Sequence, residues 1–352
     1  MLLSVIIPTF NCNETLERTI WDLFAITACK VEIIIIDDGS KKESLEILHK
    51  IESIESRNIV IKVLYNQHQG VSFSRNCGIR YSNGDYITFV DDDDRINSQA
   101  YNDLIYYAIK NPNLDVISAS INVKEKHSEK IFEQQKINKI LLSTLHADID
   151  EFDSVEYPMG PYGKFFLRKM LMANNIVFPE DMFNGEDMVF NWNVLLHCQK
   201  LLLIEEQIYT YINDGLSKQS LMHSFFPDLN ENNKSFFNNI CKVVKTTSLS
   251  EVENIQLTKY WKVRLTITNI LRQYSVSLEE TSQYVAEVAL IKQITADFNM
   301  KKYILEKLTI DQRVLLNIIV NSPVPLIIPQ VKFVKSLKSL KKILRRSKNV
   351  EI

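Results

Sequence analysis

The sequence predicts an α/β protein: a doubly wound, mainly parallel sheet followed by a helical C-terminal extension. Three observations predict it. Strand-like and helix-like segments alternate as βαβαβαβ from Leu2 to Val90. The strand-like runs are apolar throughout, as in Ile33 to Ile36, which is the pattern of strands buried on both faces of a parallel sheet. From Asn230 to Ile319 the apolar spacing is helical, on a background rich in Lys, Glu, Asn and Thr.

The elements follow in order. Leu2 to Pro8 is a strand, stopped by Pro8-Thr9-Phe10-Asn11. Glu14 to Ile26 places Leu16, Ile20, Leu23 and Phe24 on one helix face. Ile33 to Ile36 closes on Asp37-Asp38-Gly39-Ser40, and Ser44 to Ile54 is helical again. Ile59 to Tyr65 reads as a third strand, Gln69-Gly70 as a turn, Val71 to Tyr81 as a third helix, and Ser82-Asn83-Gly84 as the turn into a fourth strand. That strand, Asp85 to Val90, ends in Asp91-Asp92-Asp93-Asp94. Tyr101 to Ile109 then reads as a helix and Asp115 to Val123 as a strand, and the polar stretch through Ala147 carries no visible chemistry.

In doubly wound sheets ligands collect outside the carboxyl ends of the strands. Three such ends are polar here: Thr9 and Asn11, Asp37 and Asp38, and Asp91 to Asp94. Four adjacent carboxylates repel, each pair by roughly 3 kcal/mol at about 6 Å and an effective dielectric near 20. A positive partner is therefore expected. An extended chain would point Asp91 and Asp93 at one target and Asp92 and Asp94 elsewhere. Oxygen-only ligands favour Mg²⁺ or Mn²⁺ with positions left for phosphate, although a solvated acidic turn capping the helix near Ser98 is the plainer reading. No G-x-G-x-x-G or P-loop supplies a phosphate cradle. Arg75, in Ser74-Arg75-Asn76-Cys77-Gly78, can grip a phosphate with paired hydrogen bonds or offset the charge of Asp37 or Asp91.

Composition fits a folded chain of one large or two modest domains: 352 residues, 45% hydrophobic and 24% charged. A net charge of −2 provides no overall field for nucleic acid. Cys12, Cys29, Cys77, Cys198 and Cys241 are odd in number and contain no C-x-x-C, which argues for a reducing compartment over disulfides or zinc. His49, His68, His127, His146, His197 and His223 show no metal-ligand spacing. The N-terminus has no basic leader region, and no stretch is long enough to span a membrane. A cytoplasmic enzyme, at or near the inner membrane face, is the expectation.

Ser4-Val5-Ile6-Ile7-Pro8-Thr9-Phe10-Asn11, Ile36-Asp37-Asp38-Gly39-Ser40, Ser74-Arg75-Asn76-x-Gly78-Ile79 and Phe89-Val90-Asp91-Asp92-Asp93-Asp94 resemble, in order, the motif set of family 2 glycosyltransferases. The likeness extends over about the first 210 residues. It implies a GT-A fold, a nucleotide-sugar donor (usually UDP-linked), a divalent metal and inversion at the anomeric carbon. By that resemblance Pro8, Thr9, Asn11 and Glu14 lie near the nucleotide and Asp38 hydrogen-bonds uracil. Arg75 approaches the phosphates, Asp91 meets the ribose side, and Asp93 is the metal ligand, with Asp91 as a second candidate. Asp92 is expected among the nucleotide-binding residues, and it stands where the family often has Ser, an extra acid beside the metal candidates. Farther on, Asn184-Gly185-Glu186-Asp187 opens a helical pattern and resembles the family's Glu–Asp pair, in which the aspartate takes the acceptor hydroxyl's proton. Asp187 is thus the expected base, with Glu186 secondary. Lys164, in Gly160-Pro161-Tyr162-Gly163-Lys164, is expected either to orient acceptor or phosphate or to be a plain surface lysine. The family's arginine after the next strand has no counterpart near Tyr209 to Ser217.

The expected organisation is a glycosyltransferase domain over 1–215 (nucleotide half 1–100, acceptor half 101–215), a helical accessory domain over 216–330 and a basic tail over 331–352. Ser322-Pro323-Val324-Pro325 and Pro329 mark the last boundary. In the tail Val334, Leu337, Leu340 and Leu344 interleave with eight Lys and Arg residues against Glu351 alone, a net +7. Such a helix suits an anionic membrane surface and, lacking an aromatic ladder, suits nucleic acid less. The acceptor expected is a growing or lipid-linked surface glycan such as a capsule polysaccharide. The rivals are a nucleotidyltransferase, whose Gly-rich, Arg-containing loop is missing after the first strand, and a non-catalytic nucleotide- or glycan-binding module.

Overall fold

The structure is a computed structural model describing residues 1–119, 129–146, 157–204, 208–210, 229–272, 281–331 and 333. Chain contacts divide it into two compact units, Met1–His223 and Ser224–Ile352.

The first unit is built on a mixed eight-stranded sheet. β1 (Leu2–Thr9), β2 (Lys30–Asp37), β3 (Ile59–Tyr65) and β4 (Tyr86–Phe89) alternate with α1 (Glu14–Phe24), α2 (Lys42–Glu52) and α3 (Val71–Tyr81). After the two-residue β5 (Arg95–Ile96) come α4 (Ser98–Lys110), β6 (Val116–Ala119), β7 (Glu129–Glu133), α5 (Gln134–Thr144), β8 (Lys164–Leu167), α6 (Arg168–Ala173), α7 (Glu186–His197), β9 (Lys200–Ile204) and β10 (Tyr209–Thr210). The order across the sheet is β3-β2-β1-β4-β8-β6-β9-β7, with a small β10-β5 ladder beside it. β1 pairs in parallel with β2 and β4, and β2 with β3. β8 is inserted antiparallel between β4 and β6. Crossovers through helices place the carboxyl ends of β1, β2 and β4 on one edge, where the polar clusters gather.

Core positions explain the runs. Val5, Ile6, Ile7 and Ile33 to Ile36 are wholly inaccessible to solvent, as two-faced burial requires. α3 lies close on this sheet because Gly78 carries no side chain: a Cβ there would stand 2.3 Å from Ile6 Cγ2. That close approach fixes Arg75 and Asn76, less than one helical turn earlier. At the opposite end of the strands, buried Glu32 accepts hydrogen bonds from Ser4 Oγ at 2.5 Å, Asn83 N at 2.5 Å and Gly84 N at 3.0 Å, closing the turn into β4.

Several expectations are corrected. The polar stretch before Ala147 holds β7 and α5: β7 is an edge strand with only Phe132 inward, so its sequence alternates weakly. The strand expected over Asp115 to Val123 is described over Val116–Ala119, and 120–123 lie outside the described residues.

The second unit is helical: α8 (Leu229–Thr246), α9 (Glu251–Arg272), α10 (Thr281–Ile294), α11 (Phe298–Lys307) and α12 (Ile310–Asn321). Val263, Ile267 and Ile270 form the buried stripe of α9. Helix continues over 324–331, with Ile327 and Val331 buried, so the prolines do not end the packed unit there. Pro325 lies in that helix's first turn, where a missing N–H is tolerated. The basic tail from 334 onward, and the 211–217 stretch after Tyr209-Thr210, lie outside the described residues. Among the described residues no helix is long and apolar enough to cross a membrane.

Candidate active site

The nucleotide-side candidates occupy the ends of β1 and β2. Pro8 and Thr9 are buried at the end of β1, and Thr9 Oγ1 donates to Asp92 Oδ2 at 2.5 Å. Asn11 has φ +52°, a conformation its short amide side chain tolerates. Its Oδ1 accepts from Lys41 N at 2.9 Å and its backbone N donates to Ser40 Oγ at 2.7 Å, tying the loops after β1 and β2 together. Glu14 is exposed in the first turn of α1. Asp38 is buried and takes backbone N–H groups of Gln69 at 2.7 Å and Gly70 at 2.9 Å, with His68 Nδ1 2.8 Å from Oδ2. Its carboxylate therefore braces the turn entering α3. Half-exposed Phe10 stacks on the His68 ring at 4.4 Å.

The four acids do not continue an extended strand. β4 ends at Phe89, and Asp94 N donates to Asp91 O at 3.3 Å, closing a turn. The alternation expected of an extended chain is lost because the backbone reverses. Asp91, Asp92 and Asp93 are half-buried, whereas Asp94 is buried and accepts from the Tyr209 hydroxyl. Thr15 Oγ1 and Thr19 Oγ1 donate to the carbonyls of Asp92 (3.2 Å) and Asp94 (2.7 Å), fastening the turn to α1.

The expected positive partner is Arg75. It is buried, and its Nη1 lies 2.8 Å from Asp187 Oδ1 and 3.6 Å from Glu186 Oε1, while Nη2 lies 3.2 Å from Asp91 Oδ1. Its guanidinium sits 5.3 Å from the centre of the Phe178 ring. One side chain thus joins the strand-end acid to the Glu–Asp pair, which comes from the start of α7. Burial opposes its charge, but Asp187, Asp91 and Glu186 outweigh burial and push its pKa above the ordinary value. Burial, then the Asp187 charge, pushes Glu186 up to about 7 against the pull of Arg75. Asp187, a quarter exposed, is also raised by burial, with Arg75 and Lys164 resisting.

Lys164 is not a surface lysine. It is wholly buried, donates to Gly160 O at 2.5 Å and lies 4.9 Å over the Tyr157 ring. Burial lowers its pKa to about 7, and Asp187 resists the fall. Beside it, Asn191 Nδ2 donates to Met159 O at 2.8 Å and Asp187 O at 3.0 Å, while Tyr157 Oη donates to Asn191 Oδ1 at 3.1 Å. Asn76 secures the other flank: its Oδ1 accepts from Phe178 N and its Nδ2 donates to Phe178 O, both at 2.8 Å, and to Glu180 Oε1 at 2.9 Å. Asn76, Asn191, Tyr162 and Tyr209 are the residues missed from sequence. Two signals were available: Asn76 lies inside the Ser74-Arg75-Asn76-x-Gly78 motif, and Tyr162 is the aromatic between Gly160 and Gly163.

The donor set fits the metal implied earlier. Asp91 and Asp93 offer only oxygens, and Mg²⁺ or Mn²⁺ beside phosphates commonly takes one or two carboxylates and fills its other positions with water and phosphate oxygens. Among the described residues no three His, Cys, Asp or Glu side chains form a closed metal cage.

The sheet order and the ligand edge define a GT-A unit. Residues 4–172 match the model for glycosyl transferase family 2, which places that stretch of the first unit in the family. It is 29% identical over 262 residues to a poly(ribitol-phosphate) beta-glucosyltransferase of Bacillus spizizenii, covering 73% of this chain and 39% of that protein. It is 29% identical over 248 residues to the poly(ribitol-phosphate) beta-N-acetylglucosaminyltransferase TarP of Staphylococcus aureus, covering 66% of this chain and 72% of TarP. The chain therefore spans about two fifths of the first relative and about three quarters of the second. The fold matches the crystal structure of S. aureus TarS 1-349 in complex with UDP-GlcNAc, with TM-score 0.64 at 17% identity over 96% of this chain and 92% of that one.

Proposed function

We propose that this protein is an inverting glycosyltransferase that moves a sugar from a UDP-sugar to a hydroxyl of a surface glycan, such as the poly(ribitol-phosphate) that two of its relatives are named for. The observation that supports the reading is the Arg75 bridge, which joins Asp91 to Glu186 and Asp187; in this reading Asp91 serves the leaving group and the pair serves the acceptor. An inverting transfer needs one base facing the attacking hydroxyl and positive charge for the departing diphosphate.

Asp187 serves as the base. Arg75 grips Oδ1 at 2.8 Å, orienting the carboxylate so that its other oxygen takes the acceptor proton as the hydroxyl attacks C1 in line. Arg75 and Lys164 both favour the ionised form of Asp187 that this step needs. Glu186, raised to about 7, carries a proton for part of the neutral range and contacts the acceptor. Pro8, Thr9, Asn11, Glu14, Asp38 and Asp92 frame the nucleotide. Asp91 and Asp93 would hold Mg²⁺ or Mn²⁺, which supplies charge neutralisation to a diphosphate when bound. A membrane-linked acceptor would suit the basic sequence at 331–348.

The test is calorimetric titration of UDP into the purified protein with and without Mn²⁺, beside Asp93→Asn, followed by product analysis with a UDP-sugar panel. Metal-dependent UDP binding that is lost in Asp93→Asn, with glycoside formed, is the expected result. Absence of UDP binding in both conditions rejects the reading, and turnover of sugar 1-phosphate would favour a nucleotidyltransferase.

A further inference from the structure

Tyr162 is held from several sides. Its ring lies 4.8 Å from that of Tyr209 at an interplanar angle of 13°, and the Tyr209 hydroxyl is bonded to Asp94. Its backbone bridges to Phe89, the last residue of β4. Gly160 packs against the hydroxyl end of the ring: a Cβ on Gly160 would stand 2.4 Å from Tyr162 Cζ and 2.8 Å from its oxygen. Lys164 fixes the Gly160 carbonyl, and Asn191 the neighbouring Met159 carbonyl.

The half-buried Tyr162 hydroxyl nonetheless makes no hydrogen bond to any described residue. The charges that act on it are Asp187 of α7, Asp91 and Asp94 of the acid turn, and Arg75 of α3. Burial first, then Asp187 and Asp91, push its pKa up to about 12, so the phenol keeps its proton and can both donate and accept. A fixed, half-buried phenol without a partner is a group whose hydrogen bond a ligand can complete. It lies just ahead of β8, bridged to the end of β4, where both Asp91 and Asp187 act on it. Asp38, the expected uracil contact, and its neighbours His68 and Phe10 belong instead to the ends of β1 to β3. After burial the strongest influence on the phenol is Asp187, the proposed base, which suits a neutral, hydroxyl-rich ring there.

We propose that Tyr162 is a specificity-determining residue for the transferred sugar, its hydroxyl hydrogen-bonding a ring hydroxyl of the donor pyranose while Tyr209 holds the ring in place. This rests on the UDP-sugar reading of the same site. The contact should behave as polar sites built for a substrate hydroxyl do, discriminating strongly against a sugar that lacks it.

The test is Tyr162→Phe, which keeps the ring and its stack. Binding of UDP, UDP-glucose, UDP-galactose, UDP-N-acetylglucosamine and their single-deoxy analogues is measured by calorimetry for both proteins, with kcat/KM where turnover occurs. The expected result is UDP affinity within twofold of wild type. Affinity for the preferred UDP-sugar should fall about tenfold, and wild-type discrimination against one deoxy analogue should collapse. If both proteins bind every sugar alike, or if Tyr162→Phe loses UDP affinity in parallel, the proposal is overturned while the reading of the site survives. A wild-type protein that binds no UDP-sugar overturns both.

Discussion

Replacing Arg75 by Met keeps a stem of similar length against Phe178 and removes the charge shared by Asp91, Glu186 and Asp187. Breaking a buried ion pair by deleting one partner costs about 3–5 kcal/mol, because the remaining charge is buried without compensation. The magnitude here must depend on pH. Glu186 already stands at about 7 beside the guanidinium, and Asp187 is raised as well; without Arg75 both rise further. A carboxyl whose folded pKa exceeds its unfolded value favours the folded state while protonated, below its unfolded pKa, and loses that contribution as pH rises through the folded pKa. For wild-type Glu186 the window therefore runs from the ordinary glutamate range to about 7, and the loss across it is about 3 kcal/mol at roughly 1.4 kcal/mol per unit. In the variant the window extends upward for both acids. The Arg75→Met deficit should be about 3–5 kcal/mol near pH 8 and roughly half that or less near pH 5, read from urea unfolding of the first unit without ligand. Arg95→Met, which removes a partly exposed pair with Asp22, is the control and should cost under about 1 kcal/mol at either pH. An Arg75→Met deficit equal at both pH values, or below about 1 kcal/mol near pH 8, would refute this account of the cluster.

Asp187→Asn should lower kcat by about 10²–10⁴ while UDP affinity stays within about twofold, since a general base acts only as the proton moves; turnover near wild type would reject Asp187 as base. Glu32→Gln should lower stability by about 1–3 kcal/mol at neutral pH, as several donors lose a charged acceptor, without changing UDP affinity, because Glu32 lies at the opposite end of the strands. Glu32 is held below the ordinary range: burial raises it, but Ser4, Asn83 and Lys62 outweigh burial. Its contribution is present above the unfolded pKa and fades as pH falls through the folded one, so wild type and Glu32→Gln should converge in acid. Asn76→Ala should cost about 2–4 kcal/mol by orphaning both backbone polar groups of Phe178; a melting temperature unchanged from wild type would show that those bonds are replaced by water.

What was legible from sequence was local or repetitive. The βαβαβαβ order, the helix over Val71–Tyr81 and the helix start at Glu186 follow from apolar spacing and turn residues, which act within a few residues of each other. Lys164 was misjudged as a candidate surface residue because lysines are seldom buried. Only the Tyr157 ring and the Gly160 carbonyl, set by tertiary packing, make its burial tolerable. β7 was missed because an edge strand with a single inward Phe132 barely alternates. The acid run reads from sequence either as extended or as a solvated turn, because the preceding run is a strand; the reversal observed depends on Thr15, Thr19 and Tyr209, which approach it from other elements.

The same distinction explains how the site is held. Sequence separates Arg75 from Asp187 by 112 positions, so no local signal could pair them, yet each is fixed by short-range rules. Gly78 lets α3 sit against Ile6 and so sets the height of Arg75 over the sheet. Adjacent Asn76 clamps Phe178, whose ring lies under the guanidinium and stacks at 4.0 Å on Phe190 of α7. The Arg75–Asp187 contact is thus braced by an apolar path from α3 through Phe178 to α7, the helix bearing Asp187. A charge pair alone would tolerate sliding of α7; a clamped, stacked ring does not. Asp91 and Asp187 are thus held at a set separation by the fold itself, which is the preorganisation that the proposed transfer requires.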